Sequence, residues 1–223
     1  MERALVVVAH PDDEVLGCGG TVAKLTGQGV AVRFIVCGEG VTARKDADPI
    51  GVAKLDVDLR QAASVLGVED VYHLDFPDNR FDSRDLLDLV WAIEESGLAF
   101  DPDVVFTHHH GDLNVDHRFV HDAVLAAFRP LPGRSPVTLM AMEVASSTGW
   151  AAPNEANAFM PNVFSDVAAT LGKKVAAMDA YSGEKRAWPH PRSAEAIRTW
   201  AHYWGSHVGL EAVEPFMLIR RFF

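Results

Sequence analysis

The stretch Ala9-His10-Pro11-Asp12-Asp13-Glu14 follows directly on the apolar run Ala4-Leu5-Val6-Val7-Val8. A continuous Val-rich run of this length is typical of a strand buried on both faces of a sheet. The residues that follow, Gly19 to Leu25, are typical of a helix. The polar stretch is therefore predicted in the turn between a first strand and a first helix. In open α/β sheets, that carboxyl edge is where ligands bind.

The polar stretch places three carboxylates in consecutive positions, where they repel one another and resist burial. A bound cation offsets both costs, and imidazole together with carboxylate suits Zn²⁺ and its first-row neighbours. If Asp12 and Asp13 point in different directions, one can bind the metal while the other faces a water on it. An acidic helix start, favoured by the helix dipole, accounts for Asp13 and Glu14 but leaves His10 unexplained. The stretch therefore favours a metal site over a simple cap.

Composition limits the class of protein. The chain has 223 residues, 48% of them hydrophobic, which suffices for one large domain with a sizeable core. Its apolar runs are shorter than the ~20 residues of a membrane helix, and the first strand begins without a signal segment. The net charge of −11 argues against a general nucleic-acid or anionic-membrane surface. With Cys18 and Cys37 expected as reduced thiols, we expect a cytoplasmic protein with no membrane insertion.

Strand-like and helix-like segments alternate over the first ~145 residues with short connections, the pattern of a parallel sheet with right-handed crossovers. We therefore predict an α/β fold with a Rossmann-like, doubly wound, mainly parallel sheet. Further strands are predicted at about 30–37, 71–74, 103–107 and 137–144, and helices at about 15–27, 53–66, 84–97 and 116–128.

The alternation loosens beyond Ser146, where Pro153-Asn154 and Pro161-Asn162 mark turns. Strands are predicted near 163–167 and 215–220, and helices near 168–181 and 193–204. We expect one domain over 1–223, with a core to about 145 and an irregular C-terminal cap over about 146–223.

A second polar loop, His108-His109-His110-Gly111-Asp112-Leu113-Asn114-Val115-Asp116-His117, leaves another predicted strand at the same edge as His10. One ligand from this loop would complete a set of two histidines and one carboxylate, and it would leave a coordination position open for water. That arrangement is catalytic rather than structural. At least one of the three adjacent histidines is expected to be a polar loop residue without a role in the chemistry. His121, one turn after His117, is expected in the core or behind a ligand.

The first motif in its strand–turn–helix context, together with Asp116-His117, resembles the LmbE-like or PIG-L zinc N-deacetylases. The resemblance covers most of the chain and continues through Phe76-Pro77-Asp78-Asn79-Arg80, Ser146-Ser147-Thr148 and Pro189-His190-Pro191-Arg192-Ser193. It implies removal of an acetyl group from an N-acetylglucosamine-type small molecule. It also implies Zn²⁺, or another divalent first-row metal, on His10, Asp13 and His117. Asp12 would be the general base for the water on the metal, and Asp116 would orient a histidine.

The chain departs from the family pattern at Asn114. Many members carry His-Pro-Asp-His where this chain has Asn114-Val115-Asp116-His117, and the first histidine helps to hold the oxyanion. An amide can donate to an oxyanion but does not titrate. Either Asn114 or one of His108, His109 and His110 is expected to take that part.

Four further residues are candidates for substrate binding: Arg60, Asp78, His109 and His190. Arg60 lies in a segment that resembles one holding a substrate-facing arginine, although an exposed helical arginine explains it equally well. Asp78 sits among turn residues that need no function. His190 precedes Ser193, a predicted N-cap, and could reach the site as part of a lid. The loops 40–52 and 146–166 are expected to decide the substrate.

Other functions compete with a zinc amidohydrolase acting on an acetamido sugar. A nucleotide-binding Rossmann protein would use Gly17-Cys18-Gly19-Gly20, but these glycines come after the tight turn, and the turn carries acids where a pyrophosphate would lie. A non-catalytic metal-binding protein would not need Asp12 beside Asp13. A serine hydrolase is disfavoured because the sequence contains no Gly-x-Ser-x-Gly elbow. Homo-oligomerisation stays open.

Overall fold

A computed structural model describes residues 1–43, 45, 49–152 and 154–222. Within these residues, one sheet contains the strands β1 (Arg3–Val8), β2 (Ala31–Gly38), β3 (Asp70–Phe76), β4 (Val104–His108), β5 (Thr138–Met142), β6 (Val163–Asp166) and β7 (Val213–Arg220). Their order across the sheet is β3-β2-β1-β4-β5-β7-β6. The first five strands are parallel, whereas β7 is antiparallel to both β5 and β6.

The strand order reverses next to β1. The chain proceeds outward from β1 to β2 and β3, then returns to the other side of β1 with β4 and β5. In a doubly wound sheet, this reversal opens a crevice beyond the carboxyl ends of the two central strands. The loops that follow β1 and β4 therefore meet at one place.

Helices cover both faces of the sheet. They are α1 (Asp13–Gly27), α2 (Pro49–Leu66), α3 (Leu86–Gly97), α4 (Val115–Ala127), α5 (Leu171–Ala180) and α6 (Ala194–Val208). Buried side chains of α1, α2, α5 and α6 belong to one core cluster, and those of α3 and α4 belong to another. Along β1, Val6 and Val8 enter the first cluster while Leu5 and Val7 enter the second. This alternation explains the continuous apolar run, because both faces of the strand are covered.

The C-terminal segment is bonded to α1 through a buried glutamate on β7. Glu214 accepts backbone hydrogen bonds from Gly20 at 2.8 Å and from Thr21 at 2.6 Å, and it pairs with Lys174 of α5 at 2.7 Å. A Cβ atom on Gly20 would lie 3.0 Å from Val167 and 3.1 Å from Glu214. The small glycine therefore permits the close approach of α1 to the C-terminal segment.

The predicted doubly wound α/β fold is confirmed, and the predicted strands and helices all appear with shifts of a few residues at their ends. The C-terminal segment is more regular than expected, because β6 and β7 extend the same sheet. Cys18 and Cys37 are free and buried, as predicted. Among the described residues, no helix is both long and apolar enough to span a membrane. Four residues of the predicted 40–52 loop, and Pro153 of a predicted turn, lie outside the described residues.

Candidate active site

The turn after β1 has an unusual backbone conformation at Asp12. The φ angle of Asp12 is 100°, in the left-handed region, which costs a non-glycine residue ~1–3 kcal/mol. Glu14 stabilises the turn, because its carboxylate accepts a hydrogen bond from the Asp12 backbone N–H at 3.0 Å. The Tyr181 hydroxyl donates to the other carboxylate oxygen of Glu14. In this conformation the Asp12 and Asp13 side chains contact different partners.

Asp13 lies at the centre of a buried cluster with His10 and His117. Its Oδ2 atom is 3.5 Å from Nδ1 of His10 and 3.2 Å from Nε2 of His117. The same oxygen accepts a hydrogen bond from the His10 backbone N–H at 2.9 Å. One ligand atom from each of the three residues lies within 4.8 Å of the other two. The structure thus brings together the three residues predicted as metal ligands.

The outer nitrogen of each imidazole contacts a second carboxylate. Nε2 of His10 is 2.9 Å from Oδ2 of Asp116, whose other oxygen accepts a hydrogen bond from the Phe81 backbone N–H. Nδ1 of His117 is 3.2 Å from Oδ2 of Asp112. A carboxylate on the outer nitrogen fixes the tautomer and orientation of an imidazole ligand. Both rings are therefore held with their inner nitrogen toward Asp13.

Asp112 is itself fixed by its surroundings. Its carboxylate accepts hydrogen bonds from the Asn114 backbone N–H at 2.8 Å, from the Thr148 hydroxyl at 2.6 Å and from the Ser147 hydroxyl. Burial opposes ionisation, yet the neighbouring His117 and these hydroxyl hydrogen bonds lower the pKa of Asp112 to about 2. The carboxylate behind His117 is therefore negatively charged at neutral pH.

The cluster attracts positive charge. Burial by itself would lower the pKa of both imidazoles, but Asp116 and Asp13 raise that of His10 to about 9, and Asp13 and Asp112 raise that of His117 to about 10. Although burial opposes it, His117 and His10 hold the pKa of Asp13 well below its usual range. A site that binds protons this strongly also stabilises a divalent cation in their place.

The donor set fits a divalent first-row metal. Two imidazole nitrogens and one carboxylate oxygen are a usual catalytic set for Zn²⁺, and they leave a position open. A second group, made of His10, Asp78 and Asp116, also brings its ligand atoms within 4.8 Å. It offers one imidazole instead of two, and it uses the His10 nitrogen that contacts Asp116. The group with two imidazoles is therefore the better fit.

Asp12 contacts the C-terminal segment through its carboxylate. It is 1% exposed, and neither of its carboxylate oxygens accepts a hydrogen bond from the part of the chain that the structure describes. Its Oδ2 atom lies 3.3 Å from Nε of Arg192, which also pairs with Glu184 at 2.9 Å. Burial raises the pKa of Asp12 to about 7, and the charge of Arg192 opposes this rise. A buried carboxyl with this pKa can exchange a proton near neutral pH.

These side chains line a cleft of about 260 Å³, called the catalytic cleft below. Its polar lining comes from the strand-end loops and from the C-terminal segment: His10, Asp12, Asp13, Asp78, Asn79, Asn114, His117, Ser146, Ser147, Glu184 and Arg192. The cleft therefore combines the metal-ligand cluster with hydroxyl, amide and charged groups.

Among the oxyanion candidates, Asn114 lines the catalytic cleft. Its Oδ1 atom caps α4 by accepting from the Asp116 backbone N–H, and its Nδ2 atom donates to Asn79 at 3.1 Å. One amide hydrogen of Asn114 is therefore left for a ligand.

The three adjacent histidines contact other parts of the protein. Nε2 of His108 accepts from the Ala9 backbone N–H at 2.8 Å, and the ring stacks on His117 at 3.8 Å. Burial lowers the pKa of His108 to about 3, so this ring is neutral. His109 and His110 contact the backbone oxygens of Asn157 and Ala156. None of the three rings belongs to the described cleft lining, although His108 packs against His117 and lies 3.5 Å from Oδ2 of Asp13.

Of the residues predicted to bind substrate, Asp78 lines the cleft, with Oδ1 at 3.3 Å from Nε2 of His10. Arg60 is exposed on α2 and pairs with Asp56 at 3.0 Å. His109 is buried beside Phe159, and His190 accepts a hydrogen bond from the Arg192 backbone N–H at 3.1 Å. The structure therefore brings Asp78 to the described cleft lining, but not Arg60, His109 or His190.

Comparison with protein-family models gives a match to PIG-L, described as GlcNAc-PI de-N-acetylase, over residues 5–128. This match spans more than half of the chain. The chain belongs to the PIG-L family. YaiS of Escherichia coli strain K12, described as an uncharacterized deacetylase, is 30% identical over 168 residues, which are 73% of this chain and 80% of YaiS. Both descriptions name deacetylases, which are hydrolases of amide C–N bonds.

Another relative is the probable N-acetyl-alpha-D-glucosaminyl L-malate deacetylase 2 of Bacillus cereus. It is 27% identical over 199 residues, which are 84% of this chain and 86% of the relative.

Two solved structures share the fold at low sequence identity. N,N'-diacetylchitobiose deacetylase of Pyrococcus horikoshii has a TM-score of 0.79 at 21% identity, covering 98% of this chain and 84% of that one. GalB of Pseudomonas putida KT2440, a 4-carboxy-2-hydroxymuconate hydratase, has a TM-score of 0.77 at 22% identity, covering 100% and 98%. One fold thus carries two reactions, so the site rather than the fold must decide the activity.

Asp112 and Arg192 have no role among the residues predicted from the sequence. Asp112 precedes His117 in the same loop, and a carboxylate beside a histidine ligand was a usable signal. Arg192 reaches Asp12 from the opposite end of the chain. The segment Pro189-His190-Pro191-Arg192-Ser193 belongs to the family resemblance, but its residues are also typical of a helix entry, and nothing in them indicated a contact with Asp12.

Proposed function

We propose that this chain is a zinc-dependent amidohydrolase that removes an N-acetyl or similar acyl group from an acetamido sugar or sugar conjugate. The proposal rests on the position of Asp12, which is next in sequence to Asp13 of the buried cluster of His10, Asp13 and His117. The Asp12 carboxylate accepts no hydrogen bond from the described residues. The family description and the name of the Bacillus cereus relative support the acetamido-sugar substrate class.

The reaction adds water across an amide. A Zn²⁺ ion held by His10, Asp13 and His117 would polarise the carbonyl group and make the attacking water more acidic. Asp12 accepts a proton from that water as the bond between oxygen and the carbonyl carbon forms. Asp12 then gives this proton to the nitrogen as the C–N bond breaks, so the products are an amine and a carboxylic acid, which loses its remaining proton to solvent at neutral pH.

Arg192 is proposed to hold Asp12 ready for this exchange. Its guanidinium lies 3.3 Å from the Asp12 carboxylate, and it favours the ionised, proton-accepting form of a buried acid. Its second carboxylate partner, Glu184, keeps the guanidinium in place when Asp12 is protonated. The positive charge of Arg192 is therefore balanced by a carboxylate whether Asp12 is ionised or protonated.

Two aspartates and an amide complete the proposed machinery. Asp116 and Asp112 hold the rings of His10 and His117 with their inner nitrogens toward Asp13. Asn114 lines the cleft with one amide hydrogen left to donate to the developing oxyanion.

The cleft residues Asp78, Asn79, Ser146 and Ser147 offer hydrogen-bonding groups for sugar hydroxyls. Substrate-binding roles for Arg60, His109 and His190 stay predictions. We also propose that residues 1–223 act as one catalytic domain, because Arg192, from the C-terminal segment, contacts Asp12.

The test is metal-dependent acetate release. Purified protein would be stripped with a chelator, reloaded separately with Zn²⁺, Co²⁺, Mn²⁺ or Mg²⁺, and assayed on N-acetylglucosamine conjugates for free acetate and free amine. About one Zn²⁺ per chain and equal amounts of the two products are expected. Undiminished hydrolysis by metal-free protein would overturn the metal assignment. Absence of amine from every acetamido sugar, with metal bound, would overturn the substrate class.

A further inference from the structure

A cavity of about 370 Å³ lies beside the catalytic cleft and is lined largely by aromatic and aliphatic side chains. The indoles of Trp150, Trp188 and Trp200 contribute to its walls together with Ile197 of α6 and Leu16 of α1. These three tryptophans are 56%, 57% and 38% exposed, although large aromatic side chains are usually buried. Concave sites of this volume with exposed aromatic walls are typical of small-molecule binding. We call this space the tryptophan cavity.

The tryptophan cavity and the catalytic cleft share two stretches of chain. Ser147 lines the cleft, and Trp150, three positions later, lines the cavity. Near the other end of the chain, Arg192 lines the cleft and its neighbour Pro191 lines the cavity. The two spaces are therefore adjacent along both stretches, which is the arrangement that a ligand spanning both would require.

The distance between the two spaces is short on the α1 side. The backbone N–H of Leu16, which lines the cavity, donates to the carbonyl oxygen of Asp12 at 2.9 Å. Leu16 is thus one helical turn, about 5.4 Å along the axis, from the proposed general base. The wall of the cavity at Leu16 is therefore only a few bond lengths from the proposed general base.

The buried charges at the edge of the tryptophan cavity are already engaged. Lys174 donates to Glu214 at 2.7 Å and to the Leu16 carbonyl oxygen at 2.9 Å. Glu143 accepts the indole N–H of Trp200 and that of Trp204, each at 2.6 Å. This pairing anchors the Trp200 ring and leaves mainly ring faces and aliphatic groups as walls. Such walls favour a flat apolar group, because a charged one would lose its hydration without gaining a partner.

We propose that the tryptophan cavity is an apolar subsite that takes an aryl or alkyl group covalently attached to the acetamido sugar. This inference rests on the proposed function, since it names the part of the substrate next to the scissile amide. The apolar group has two chemical sources, an aglycone on the sugar or an acyl chain longer than acetyl.

The test compares three substrates: methyl N-acetylglucosaminide, its phenyl glycoside, and methyl N-octanoylglucosaminide. Initial rates of free-amine formation would give kcat/KM for each. We expect the phenyl or the octanoyl compound to exceed the methyl N-acetyl compound by at least tenfold, the scale for burying a few apolar carbons. A preference for the phenyl compound identifies an aglycone subsite, and a preference for the octanoyl compound identifies an acyl subsite. Equal kcat/KM for all three overturns the inference.

Variants connect the preference to the tryptophan cavity. Trp150→Ala and Trp188→Ala should each reduce the preference severalfold while leaving kcat/KM for the methyl N-acetyl compound unchanged. Trp91→Ala is the matched control, because Trp91 is 58% exposed on α3 and lies outside the cavity lining. A preference that survives in both cavity variants overturns the inference.

Binding separates this inference from the proposed function. Titration of each compound into the metal-loaded wild type and Trp188→Ala, followed by calorimetry, requires no turnover. If no compound is hydrolysed but an apolar compound binds the wild type at least tenfold more tightly than the methyl compound, the subsite stands and the proposed function fails. That advantage should disappear in Trp188→Ala. Equal affinities in the absence of hydrolysis would overturn both.

Discussion

The sharpest prediction separates the neighbouring aspartates Asp12 and Asp13, which are chemically alike but contact different groups. Asp12→Asn replaces a carboxylate that accepts no hydrogen bond from the described residues. Asparagine also tolerates the positive φ at this position better than most residues. The Arg192 side chain loses one ion-pair partner but keeps Glu184. We therefore expect Asp12→Asn to fold normally and to keep its metal.

Turnover should nevertheless fall in Asp12→Asn, because an amide does not accept the proton of the attacking water. Loss of a general acid–base group costs ~10²–10⁴-fold in rate, which is about 3–5.5 kcal/mol of transition-state free energy. Asp13→Ala should behave differently. It removes the oxygen that lies 3.5 Å from His10 Nδ1 and 3.2 Å from His117 Nε2. Metal and activity should then be lost together.

The assay pairs metal stoichiometry by mass spectrometry with single-turnover product formation for both variants. Calorimetric substrate binding to Asp12→Asn should remain close to wild type. The assignment is refuted if Asp12→Asn releases the metal or if Asp13→Ala retains it at full occupancy. A single-turnover rate of Asp12→Asn within a few-fold of wild type would exclude Asp12 as the base.

Three further predictions concern residues around the proposed base and the tryptophan cavity. Arg192→Gln should lower kcat by ~10–100-fold at unchanged metal content and nearly unchanged KM, with partial recovery in Arg192→Lys, because a nearby Arg lowers the pKa of an aspartate by about 1–3 and so favours its proton-accepting form. A KM effect of equal size in both variants would contradict a positioning role. Asn114→Ser and Asn114→Ala should both lower turnover by ~100-fold with metal retained, because both remove the amide donor. The free energy of unfolding should fall by ~1 kcal/mol only in the alanine variant, because serine still caps the helix. Normal turnover in both variants would place the oxyanion donor elsewhere. Burial raises the pKa of Glu143 from 4.5 to about 7, so folding favours the protonated carboxyl. The protonated carboxyl therefore contributes fully to stability below pH ~4.5, and this contribution is lost as the pH rises through ~7. A pKa difference of about 2.5 corresponds to roughly 3 kcal/mol at about 1.4 kcal/mol per pH unit. In urea titrations, the free energy of unfolding of the wild type should therefore fall by roughly 3 kcal/mol relative to that of Glu143→Gln between pH 4.5 and 7.5. Stabilities of the two proteins that change in parallel with pH would contradict this prediction.

The local sequence predicted those features of the fold and of the site that depend on residues close together along the chain. The Val-rich run before His10 predicted a strand covered on both faces, and Val6 and Leu5 do enter opposite core clusters. Parallel strands all end at one edge, so the loops carrying His10 and His117 could be predicted to meet before any contact was known. The residue types in those loops also indicated a metal site.

The amino-acid sequence therefore predicted the doubly wound sheet and, through its family resemblance, the residues of the cluster, but only the tertiary structure decided how that cluster is organised. The ion pair of Arg192 with Asp12 joins opposite ends of the chain, and the pairing of β7 with β5 extends the sheet with the C-terminal segment. The hydrogen bonds that leave Asn114 one amide hydrogen depend on a neighbour from another loop. Such contacts leave no local pattern, because they depend on packing between distant segments that no periodicity encodes.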